Sequence, residues 1–104
     1  MKLLELIEHL KTIESAEKLI EGLNLDMEFL AVEIYMIDKI DMLSELAFFD
    51  SEAVMLEMYM TLNNINYIDF LGLDVAQEIV EANDGEYSNH EIAERMIEYR
   101  LRDA

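Results

Sequence analysis

The chain has 104 residues, with 24 Asp and Glu against seven Lys and Arg, a formal net charge of −17 at pH 7, and neither cysteine nor proline. An apolar content of 53% excludes a disordered acidic tail, which lacks the grease to offset chain entropy, and the missing cysteines exclude a disulfide framework, a thiolate metal site and a thiol nucleophile. With three glycines and abundant Leu, Met, Glu and Ala, the composition predicts an all-α fold: a single compact helical domain over residues 1–104, of about five helices and no sheet.

From about Lys2 to Glu21, Leu3, Leu6, Ile7, Leu10, Ile13, Ala16 and Ile20 recur at three- and four-residue steps, the spacing of one helix with one apolar face. Gly22 and Asn24 end it. Met27 to Phe49 reads as a second helix whose first half, MEFLAVEIYMI, is apolar nearly all round, so it is central in the core or faces a partner. Asp50-Ser51 offers an N-cap for a third helix from Glu52 to about Leu62, broken by Asn63-Asn64. NINYIDFLGL reads as an irregular or short helical link, and Asp74 caps a short helix to about Ala82. Asp84-Gly85 then makes a turn, and Ser88-Asn-His-Glu91 is a capping box that starts a last helix from Asn89 to about Arg102.

The same turn has the outline of a calcium loop. With Gly85 at the sixth position, Asp84, Ser88 and Glu91 fall where ligands belong, but Val80 and Ala82 fall at the first and third positions and carry no oxygen. No metal and no cofactor are expected. His9 and His90 stand four residues from Glu5 and Glu86 without forming an HExxH or ExxH motif, and no phosphate loop or nucleophile elbow occurs. The chain is therefore expected not to be an enzyme. Met1-Lys2-Leu3-Leu4-Glu5 meets a carboxylate too early for a signal peptide, and no apolar run approaches the roughly 20 residues that cross a bilayer. A soluble protein of the bacterial cytoplasm is expected, with no membrane partner.

Charge is the strongest signal. Between Lys39 and Arg95 there is no Lys or Arg, while acids recur throughout. The runs Glu14/Glu17/Glu21, Asp38/Asp41/Glu45, Asp74/Glu78/Glu81 and Glu91/Glu94/Glu98 would place carboxylates roughly 5–6 Å apart along helix faces, a spacing comparable to that of successive phosphates. A generic solvated acidic face is the plain alternative, and a salt-adapted protein another, although salt adaptation trims large apolar residues. The pattern points to a nucleic-acid mimic that competes for a basic groove without itself binding nucleic acid. Its expected phosphate-like set is Asp69, Asp74, Glu78, Glu81, Asp84, Glu86, Glu91, Glu94 and Glu98. Phe48, Phe49, Met55, Met58 and Tyr59 are more apolar surface than so short a chain readily hides, so a homodimer through them is expected. The competing class is a helical interaction module, such as an immunity protein, antitoxin or adaptor, docking through this apolar Met- and Phe-rich surface.

The order IDKIDMLSEL, SEAVMLEMYMTL, DVAQEIVEAND, a Tyr-containing turn and EIAERMIEY, from about Ile37 to Arg100, resembles the helical part of ArdA-type antirestriction proteins, which are DNA mimics. Small phage anti-CRISPR inhibitors are similar in size and charge. The resemblance implies a dimeric phosphate mimic that binds the DNA groove of a restriction or CRISPR nuclease and blocks it.

Overall fold

Val32, Ile34 and Met36 are buried on one side of an extended segment, and Glu33 and Tyr35 point to the other, an alternation of period two. The computed structural model, which describes residues 1–23, 28–52 and 56–103, accordingly corrects the all-α expectation. Helices α1 (Leu3–His9) and α2 (Ile13–Gly22) come first, and a 3-10 turn, Phe29–Ala31, leads into strand β1 (Val32–Ile37). Strands β2 (Leu46–Asp50), β3 (Tyr59–Leu62) and β4 (Ile65–Gly72) follow, then helices α3 (Leu73–Asn83) and α4 (Asn89–Asp103). The four strands form one antiparallel sheet in the order β2-β1-β4-β3.

The segment read as the second helix is thus a strand, a turn and a strand. β1 is central, flanked by β2 and β4, and apolar groups cover both of its faces, which is why its sequence looks apolar at any period. On the helix side Ile34 and Met36 join Leu3, Leu6, Leu10, Phe70, Leu73, Ile92 and Met96 in the core. On the other side Tyr35 and Tyr67 pack edge to face against Phe49, with centroids 5.1 and 5.2 Å apart, and the Tyr35 hydroxyl donates to the Glu57 carbonyl at 2.6 Å. Glu57, shortly before β3, therefore lies at this face.

The segment read as the third helix contains β3, and residues 53–55 lie outside the described residues. Asn63 and Asn64, both at positive φ (52° and 66°), make the two-residue turn of a β3–β4 hairpin rather than a helix end. NINYIDFLGL, read as a link, is mostly β4. The single N-terminal helix is two: Thr12 Oγ1 accepts the Ser15 N–H at 3.1 Å and Ser15 reaches back to the Thr12 N–H, a capping box that starts α2 afresh. Gly72, not Asp74, precedes α3 as its N-cap, and Asp74 lies in the first turn.

The C-terminal readings agree with the structure. Gly85 takes φ 89°, and Ser88 and Glu91 exchange hydrogen bonds at 3.1 and 3.2 Å ahead of α4. Among the described residues no helix is long and apolar enough to cross a membrane.

Candidate functional site

An acidic ridge begins at the corner where β4 turns into α3. Antiparallel pairing sets Glu33 opposite Gly72 and Tyr35 opposite Asp69, with a bulge between Ile34 and Tyr35. The missing side chain of Gly72 makes room for carboxyls: a Cβ there would stand 2.7 Å from Asp74 Oδ1 and 3.3 Å from Glu33 Oε1. Beside them opens a cavity of about 290 Å³ whose lining includes Glu33, Asp69, Met58, Tyr99 and Arg100. Arg100, buried despite its charge, donates from Nε to the Asp69 carbonyl at 2.8 Å.

Loss of water around Glu33, its hydrogen bond with Asp69, and the charges of Asp69 and Asp74 push its carboxyl up to about 8 from an ordinary 4.5. Asp69 Oδ1 is buried without a hydrogen-bond partner, and a proton on Glu33 would offer the pair a donor. Burial, with Asp69, Glu33 and Glu57 nearby, likewise pushes the Tyr35 hydroxyl up to about 12. Among the described residues no three acidic or His side chains converge as a metal-binding group.

From this buried end the ridge runs outward. Asp74, Glu78 and Glu81 follow at helical spacing on α3, and Glu17 of α2 and Glu28 face them across a groove of about 550 Å³, lined also by Ile13, Phe29, Leu30 and Gln77. Among the described residues no Lys or Arg lines this groove. Glu78 and Glu81 are exposed, and Gln77 Nε2 orients Glu81 at 2.7 Å.

The rest of the expected phosphate-like set lies elsewhere, in local contacts. Asp84 holds Lys11 Nζ at 2.9 Å, Glu91 serves the α4 cap, Glu94 pairs with His90 at 2.7 Å, and Glu98 pairs with Arg102. The Ser88 backbone N–H and hydroxyl hold the Glu91 carboxyl below its usual range. Glu86 is exposed in the α3–α4 turn. Asp69 joins the ridge at its buried end.

Four of the seven bases have partners within the chain, while Lys2, Lys18 and Lys39 are exposed. Besides Arg100 and Arg102, Lys11 also donates to Asn89 at 2.6 Å, and the Arg95 guanidinium lies 3.8 Å from the centre of the Tyr87 ring. The expected dimer surface is divided: Phe48 packs against the core, Phe49 sits on the aromatic face, Met55 lies outside the described residues, and Met58 and Tyr59 are exposed at β3.

Glu33, Glu28 and Arg100 escaped notice in the sequence. Glu33 and Glu28 stood within and beside a stretch read as helix, and only the strand alternation of Val32, Ile34 and Met36 could have turned Glu33 toward Asp69. Of the segments behind the ArdA resemblance, IDKIDMLSEL spans the β1–β2 connection and the start of β2, and SEAVMLEMYMTL leads into β3. Comparison with protein-family models, curated proteins and solved structures finds no match.

Proposed function

We propose that this chain is a non-catalytic nucleic-acid mimic, which sets its acidic ridge into the basic groove of a nucleic-acid-binding protein in the bacterial cytoplasm and blocks it, in the manner of antirestriction or anti-CRISPR inhibitors. One observation carries the reading: Glu17, Glu28, Asp74, Glu78 and Glu81 border a groove that no Lys or Arg lines among the described residues, while four of the seven bases, Lys11, Arg95, Arg100 and Arg102, are occupied elsewhere. A body of 39 × 27 × 21 Å with a net charge of −17 projects a strong negative field over a Debye length of roughly 10 Å at 0.1 M salt. Such a field draws in a groove evolved to attract phosphates, and fixed carboxylates on a helix hold register there as a strand would.

The test is affinity capture from bacterial lysate with the wild type and with Asp74→Lys/Glu78→Lys/Glu81→Lys, the bound proteins being identified by mass spectrometry. The wild type is expected to retain a nucleic-acid-binding protein, and the triple variant to lose it at least tenfold while keeping its far-UV circular dichroism. Undiminished retention by the folded variant would refute the reading.

A further inference from the structure

β3 closes one end of the sheet order β2-β1-β4-β3, so among the described residues one of its sides has no strand beside it. The hairpin register fixes which backbone groups that side presents. Leu62↔Ile65 flanks the two-residue turn and is a hydrogen-bonded pair, alternation makes Met60↔Tyr67 the next, and the Asp69 N–H donating to the Met58 carbonyl at 2.8 Å continues the pattern. Met58, Met60 and Leu62 therefore turn their N–H and C=O groups to β4. Tyr59 and Thr61 turn theirs outward.

Edge strands in soluble proteins are ordinarily blunted by Lys, Pro, a bulge or inward charge. β3 has none of these. Residues 58–68 contain no charged side chain, although 30% of the chain is charged, and Met58, Tyr59 and Leu62 are 46%, 66% and 45% exposed. The opposite edge is different, since β2 ends in Asp50 and follows Glu45.

We propose that two copies of this chain pair through β3, antiparallel about a two-fold axis at Met60, joining their sheets into one. This register sets Tyr59 opposite Thr61 of the second copy and uses all four outward backbone groups on each strand. Met60 meets Met60 of the second copy in a non-hydrogen-bonded pair, Met58 meets Leu62, and Glu57 falls opposite the neutral Asn63. The charge decides the occupant. Two bodies of −17 repel over most approaches, and the neutral hairpin lets them meet without opposing carboxylates, whereas a basic partner would be drawn to the acidic ridge instead. The pairing is isologous and closes as a dimer, leaving the ridge of each copy on α3 open. It stands independently of what that ridge binds.

The chain contains no cysteine, so Met60→Cys introduces one thiol at the axis. Non-hydrogen-bonded antiparallel pairs have Cα atoms about 4.5 Å apart, within disulfide reach. Sedimentation over a concentration series should give the wild type a dimer mass. Mild oxidation should cross-link Met60→Cys at least tenfold faster than Leu43→Cys, whose site is 70% exposed in the β1–β2 connection. Thr61→Pro, which removes an outward N–H that β4 does not use, should leave a monomer with native circular dichroism. A wild-type chain that stays monomeric, equal cross-linking of the two cysteine variants, or a folded Thr61→Pro variant that still dimerises would each overturn the proposal; the cross-linking contrast decides even where Thr61→Pro does not fold.

Discussion

At the scale of single residues, Glu33 couples the fold to pH. Its carboxyl sits at about 8 in the folded chain against 4.5 ordinarily, chiefly through loss of water and then through Asp69 and Asp74. The folded state therefore binds a proton that the unfolded state releases between those two values. Stability falls as pH rises across that window, and the contribution of the protonated pair is gone above it. Glu33→Gln keeps a donor for Asp69 and removes the titration, so urea denaturation from pH 5 to pH 9 should give the variant a flatter profile and a higher midpoint than the wild type at pH 9. Parallel profiles would show that the Glu33–Asp69 contact carries no proton. Gly72 matters here as well, because any larger residue displaces Asp74 or Glu33.

Among the elements, the helices flanking the Asp84-Gly85 turn were legible and the strands were not, for a physical reason. Caps and left-handed turns are local, and Ser88 with Glu91, or Gly85 at φ 89°, act the same in any fold. Ser88→Ala should therefore lower stability by about 1 kcal/mol, read as a fall of roughly 5 °C in Tm; an unchanged Tm would mean that the box contributes nothing. Strands depend on neighbours. β1 is apolar on both faces because aromatics cover the side away from the helices, and the Met and Leu of β3, good helix formers alone, are overridden by pairing with β4. Asn63-Asn64 between YMTL and INYI was the available hairpin signal, since two successive residues at positive φ suit a tight strand reversal better than a helix end. The ridge was half legible for the same reason. Asp74, Glu78 and Glu81 belong to one helix, whereas Glu17, Glu28 and Glu33 reach them only through the tertiary fold.

For the whole molecule, the sheet and its helices separate two surfaces of opposite character. The α2–α3 side gathers carboxylates around a groove without bases, and the β3 edge is neutral and apolar. Salt should act on them oppositely: it screens the attraction of the ridge for a basic groove, and it relieves repulsion between two acidic copies meeting at β3. A partner held by the ridge should therefore be shed under conditions that tighten the dimer. Competition tests whether the ridge occupies a site made for nucleic acid. Lysate proteins captured on the immobilised chain are challenged with rising duplex DNA or RNA, and in parallel with rising salt. A nucleic-acid-binding protein released by both is the expected result. A partner that resists both, and has no nucleic-acid site, would contradict it.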